Sequence, residues 1–142
     1  MRIMALDVGD KRIGVAISDP QGLIAQSLMV IERRGMTHDL GTLGNLIRAH
    51  QVEKIVVGLP RRLDGTLGTQ AAKAQAFGEE VQKQLEIPVV FWDERLTTAQ
   101  AERLLIEAGV KREARKKRID AVAATLLLQS YLDFQRGQAK QV

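Results

Sequence analysis

The sequence predicts an α/β domain built on a mixed five-stranded sheet with helices on both faces. Three observations carry that reading. The chain opens with three strand-like runs in succession, and the remainder alternates helical and strand patterns. The strand runs are also apolar at nearly every position, as in strands covered on both sides. An opening strand run followed by strand–helix alternation gives a sheet that is antiparallel at first and parallel later.

Residues 2–8 set Ile3, Ala5 and Asp7 against Met4, Leu6 and Val8, so both faces are apolar until Asp7. Gly9-Asp10-Lys11-Arg12 form a turn, and residues 13–18 return as the second strand of a hairpin. A third strand over 24–31 falls between Gly22 and Gly35. Leu40, Leu43, Leu46 and Ile47 recur at helical spacing and predict a helix over 39–49. Ile55-Val56-Val57 is a short buried strand stopped by Gly58 and Pro60. The loop over 61–69 holds the turn dipeptide Asp64-Gly65 and Gly68. Thr69 is expected to cap a helix reaching Leu85, with Ala72, Ala76, Val81 and Leu85 inward. The fifth strand covers 89–92. Thr97 and Gln100 have capping-box spacing for a helix ending at Gly109. An exposed basic loop follows, then a last helix over 119–134. Residues 1–136 read as one domain, and the polar residues 137–142 as a frayed tail.

The composition fits such a domain. The 142 residues are 45% hydrophobic and 27% charged, the balance of an ordinary globular chain. No apolar run approaches the roughly 18 residues of a membrane span, and acids and arginines interrupt the first dozen positions where a signal peptide would be apolar. The chain has no cysteine, which excludes disulfides, thiolate zinc sites and cysteine nucleophiles. These features fit a cytoplasmic protein without contact with a membrane.

Three acids stand at the edges of apolar elements. Asp7 ends the first strand, Glu94 follows Val89-Val90-Phe91-Trp92, and Asp120 opens the stretch from Ala121 to Leu128. Hard divalent ions take oxygen ligands, so this set suits Mg²⁺ or Mn²⁺. Such ions activate a water and stabilise the leaving oxygen of a phosphodiester. Each acid also has an ordinary role open to it: satisfying turn amides, pairing with Arg95, or favouring a helix N-terminus. Asp93 competes with Glu94, because adjacent residues of an extended segment face opposite ways. Periodicity alone leaves that choice open.

Net charge is +4, and its distribution matters more than its size. The run from Lys111 to Arg118 holds six basic residues and one acid, an electrostatic footprint for phosphate polymers. Lys11, Arg12, Arg61, Arg62, Arg95 and Arg115-Lys116-Lys117-Arg118 are the phosphate-contact candidates, each with the alternative of a solvated surface charge. Aromatic residues are too few for a base-stacking platform, and Trp92 reads as core. His38 and His50 read as lacking a companion acid, which leaves a histidine-driven mechanism unsupported. The G-x-G-x-x-G dinucleotide fingerprint is absent.

Four blocks resemble one family: ALDVGDKRIGVAISD (5–19), VVGLPRRLDGTLG (56–68), WDERLTTAQAE (92–102) and RIDAVAATLLLQSYL (118–132). Their order and content are similar to the bacterial RuvX/YqgF proteins, named for Holliday junction resolution and for pre-16S rRNA 5′-end maturation. The resemblance implies an RNase H-like fold, a metal-dependent endonuclease, and Asp7, Glu94 and Asp120 as metal-binding catalytic acids. The related RuvC carries two acids one helical turn apart on its last helix. The second of these corresponds to Ala123 here, so one or two metals both remain open. The implied partner is structured nucleic acid, either pre-rRNA or branched DNA, and a four-way junction would suit a homodimer. Two alternatives stand beside this reading: a non-catalytic nucleic-acid-binding module, and a phosphate-binding relative of actin-like kinases, which need two such domains.

Overall fold

Eight elements follow one another among the described residues: β1 (Arg2–Val8), β2 (Arg12–Ser18), β3 (Ala25–Glu32), α1 (Met36–His50), β4 (Val52–Leu59), α2 (Thr69–Leu85), β5 (Val89–Asp93) and α3 (Arg112–Lys140). The structure, a computed structural model, describes residues 2–60, 68–93 and 112–140, the last segment with side chains over 122–137. The expected helix over 97–109 lies outside the described residues.

The sheet order is β3-β2-β1-β4-β5. β1 pairs antiparallel with β2, and β2 with β3, whereas β1–β4 and β4–β5 are parallel. This is the mixed sheet that the order of elements predicts. Side-chain alternation divides it into two apolar faces. Met4, Leu6 and Val8 of β1 join Ile13, Val15, Ile55 and Val57 beneath α1 and α2, through Leu43, Ala74, Phe77 and Val81. Ile3 and Ala5 join Ala16 and Val56 beneath α3, through Ala124, Leu127, Leu128, Tyr131 and Leu132. Ala5 and Ala16 leave room on the second face that the α3 leucines Leu127, Leu128 and Leu132 fill.

Several boundaries differ from the sequence reading. α1 begins at Met36 because Gly35, at φ 118°, turns the chain into the helix in a conformation that favours glycine. Gly68 rather than Thr69 is the N-cap of α2, and no side chain caps it. The buried stripe of α2 runs through Ala71, Ala74, Phe77, Gly78 and Val81, leaving Ala72 and Ala76 exposed. Phe77 carries the largest apolar surface on that helix and sets which stripe turns inward.

The largest correction concerns the basic run. Arg115, Lys116, Lys117 and Arg118 lie on helical backbone near the start of α3, not in a loop. Glu, Ala, Arg and Lys are all good helix formers, and neither Gly nor Pro interrupts them. High polarity suggested a loop where propensity favours a helix. The backbone of α3 also continues to Lys140, past Arg136. No helix among the described residues is long and apolar enough to cross a membrane.

Gly78 shows how tightly α2 packs on the sheet. A Cβ there would sit 2.5 Å from Phe91 Cε1 and 3.3 Å from Val57 Cγ2. Gly78→Ala gains roughly 1 kcal/mol of helix propensity but forces the Phe91 ring aside, at about 1–3 kcal/mol for overpacking. The expected net is a loss of about 1 kcal/mol in urea unfolding, with an unchanged m-value.

Candidate functional site

Asp7 is half-buried near the end of the central strand, paired in register with Gly14 of β2. It alternates with Ile3 and Ala5, so it belongs to the face covered by α3. α3 packs on this face through Ala124, Leu127, Leu128, Tyr131 and Leu132. Its C-terminal part lies over the starts of β1 and β4: Lys54 Nζ donates to Tyr131 Oη at 3.1 Å, and Ile3, Glu53, Leu132 and Gln135 line one shared cavity.

The same alternation places Asp93, the acid that ends β5. Val90 and Trp92 pack on the α3 face, while Val89 and Phe91 pack on the α1/α2 face. Asp93 shares the second parity and is exposed, on the side opposite to Asp7. Glu94 lies outside the described residues, as does the side chain of Asp120. Among the described residues, no three His, Asp or Glu side chains gather as a metal-binding cluster.

The turn after Asp7 is tied down at several points. Gly9 N–H donates to the Arg12 carbonyl at 2.8 Å, and a Cβ on Gly9 would lie 3.0 Å from that oxygen. Lys73 of α2 pairs with Asp10 at 3.2 Å. Arg12 pairs with Glu32 at 3.3 Å, an exposed contact of little stability value. Lys11 is exposed. Arg61, Arg62 and Arg95 lie outside the described residues, as do the side chains of Arg115 to Arg118.

One buried charged group escaped the sequence reading. Asp39, in the first turn of α1, is completely buried. Arg33 Nε donates to its Oδ2 at 3.2 Å and the Arg34 amide to its Oδ1 at 3.1 Å. Burial raises its pKa, but the Arg34 amide, the Arg33 guanidinium and His38 together outweigh that and hold the carboxyl below the usual aspartate range. His38 Nδ1 lies 3.4 Å from Asp39 Oδ1, so the reading that His38 lacks an acidic companion is corrected by its immediate neighbour. The available signal was an aspartate just inside a helix start and just after Arg33-Arg34-Gly35.

Trp92 is part of the α3 packing. It stacks on Tyr131 with centroids 5.4 Å apart and tilts against Phe134 at 5.0 Å. Its core reading holds, with the ring partly buried.

A central strand bearing an acid, an antiparallel hairpin, two parallel strands beyond it and a closing helix define the RuvC-like RNase H fold. RuvC of Thermus thermophilus, solved in complex with a Holliday junction substrate, superposes with a TM-score of 0.61 at 16% identity, covering 96% of each chain. The fowlpox virus Holliday junction resolvase gives 0.54 at 14% identity, covering 94% of this chain and 99% of that one. Within that fold, residues 1–134 match the RuvX family, described as Holliday junction resolvase, and the chain belongs to it. A protein of Caldanaerobacter subterraneus subsp. tengcongensis named "Putative pre-16S rRNA nuclease" is 53% identical over 138 residues, 96% of this chain and 99% of that one. One of Clostridioides difficile with the same name is 54% identical over 133 residues, 94% of each. The chain is thus a nuclease of the RuvX family, a hydrolase of phosphodiester bonds.

Proposed function

We propose that this nuclease cuts structured nucleic acid in the cytoplasm with a bound Mg²⁺ or Mn²⁺, using Asp7, Glu94 and Asp120. The observation that supports this most is the shared face: Asp7 stands on the side of the sheet covered by α3, the helix that carries Asp120. Asp93 belongs to the other face, so Glu94 is the acid assigned from that pair. All three donors are carboxylates, which fits a hard divalent ion. When bound, the ion supplies charge that polarises the attacked phosphate and acidifies a water.

In this reading Asp7 and Asp120 hold the metal, and Glu94 holds it or orients the attacking water by accepting its proton. Lys11 and Arg12, on the turn beyond Asp7, contact phosphates, as do Arg61, Arg62, Arg95 and the helical run from Arg115 to Arg118. Arg12 exchanges its exposed Glu32 partner for phosphate at little cost.

The substrate we favour is pre-16S rRNA, cut at a single position, because relatives sharing about half the residues over nearly the whole chain bear that name. Four-way DNA, cut by a homodimer with two active sites, is the second reading; it rests on the family's description. Cleavage of a precursor-rRNA mimic, a four-way junction and linear duplex DNA, side by side at fixed salt with Mg²⁺, Mn²⁺ or EDTA, tests both. The expected result is metal-dependent cutting of the rRNA mimic in preference to linear duplex. Faster cutting of the junction selects the second reading, and tight binding without any cut sinks the nuclease mechanism in favour of a binding module.

A further inference from the structure

We propose that Arg33 and Asp39 form a positioning clamp that fixes the turn behind Asp7 and thereby sets metal affinity. This rests on the assignment of Asp7 as a metal ligand. Arg33 grips the turn from both its side chain and its main chain. Its Nη1 donates to the Gly9 carbonyl at 3.0 Å, and its amide donates to the Lys11 carbonyl at 2.9 Å. The guanidinium lies over the Phe77 ring of α2, 5.1 Å from its centroid, and its Nε is held by the fully buried Asp39. One side chain thus references the Gly9 turn to the first turn of α1 and to the packed face of α2.

A buried ion pair is a poor device for stability alone, since apolar residues of similar volume often serve equally well. It is a good device for geometry. The planar guanidinium donates in two directions at once, which a lysine ammonium on a flexible stem cannot reproduce. Groups that orient metal ligands from behind typically change metal affinity or activity about 10–100-fold when removed, because ligands must be held to within about half an ångström. Asp7 reaches the turn across Val8 alone, so a shift of the Gly9 carbonyl moves the end of β1 with it.

The test compares Arg33→Met, Arg33→Lys and Asp39→Asn with two controls, Asp7→Asn and the core truncation Val81→Ala. For each full-length protein, Mn²⁺ half-saturation is measured by the electron-spin-resonance signal of the free ion, well below the melting temperature. The Mn²⁺ concentration for half-maximal cleavage is then measured in parallel. Both values should rise about tenfold or more in Arg33→Met and Asp39→Asn, and only partly recover in Arg33→Lys. Val81→Ala should melt earlier with both values unchanged. Clamp variants that melt early yet keep wild-type half-saturation would behave as Val81→Ala does, and the clamp would be purely structural. Wild-type half-saturation in Arg33→Lys likewise overturns the geometric argument. Asp7→Asn distinguishes the two layers: if it retains Mn²⁺ binding, the metal assignment has failed, whereas if it alone loses binding, only the clamp has failed.

Discussion

Asp7→Asn is expected to lower phosphodiester cleavage about a thousandfold or more while leaving the fold and nucleic-acid binding in place. Metal ions contribute several kcal/mol of charge stabilisation to such transition states, and each 1.36 kcal/mol corresponds to about tenfold in rate. Asn has nearly the same shape as Asp, and Asp7 sits half-buried in register with Gly14, so the strand has no steric reason to move. With EDTA present, so that no cation is lost together with the carboxylate, removing a negative charge cannot weaken attraction to a polyanion. The variant should therefore bind at least as tightly as wild type while cutting far more slowly. Single-turnover cleavage together with binding isotherms at one salt concentration separates the two effects. A variant that cuts at the wild-type rate removes Asp7 from the catalytic set. One that neither binds nor melts cooperatively reveals a structural acid instead.

The metal assignment depends on a feature of the fold that was legible early. Apolar residues at consecutive positions in β1 and β4 indicate strands buried on both faces, and the order of elements predicts a sheet antiparallel at first and parallel later, as the β1–β4 and β4–β5 pairs are. Hydrophobic alternation also supports the proposal of Glu94 rather than Asp93, once packing shows that Trp92 belongs with Tyr131 and Phe91 with Phe77's side of the sheet. A five-residue strand looks the same from either face until helices cover it. The start of α3 differs from the sequence reading for another reason: the charge density of Lys111 to Arg118 predicts an exposed loop, whereas helix propensity from Arg112 onward is high and unbroken. Asp39 was invisible to periodicity because its burial depends on Arg33 folding back from the end of β3, a tertiary contact that no local pattern encodes.

The helical state of the basic run changes what its removal should do. Replacing Arg115, Lys116, Lys117 and Arg118 by Ala should preserve the fold, since Ala is the strongest helix former. Consecutive residues on a helix are turned by about 100° from one another, so four in a row cannot all face one nucleic-acid backbone. About two of them share a face, as positions 115 and 118 do. The salt slope on duplex DNA should then flatten by about 2, at roughly 0.9 per lost phosphate contact, rather than by the value for four contacts. Affinity should fall by about the same factor for every sequence, because phosphates carry no base information. Pairwise variants sharpen the test: Arg115→Ala with Arg118→Ala should reproduce most of the effect if that face meets the phosphates, and Lys116→Ala with Lys117→Ala little of it. Isotherms from about 50 to 200 mM salt read out both quantities. An unaltered slope in the fourfold variant would make the run a solvated helix end that serves solubility, and would move the nucleic-acid contact to Lys11 and the arginines that follow β4 and β5.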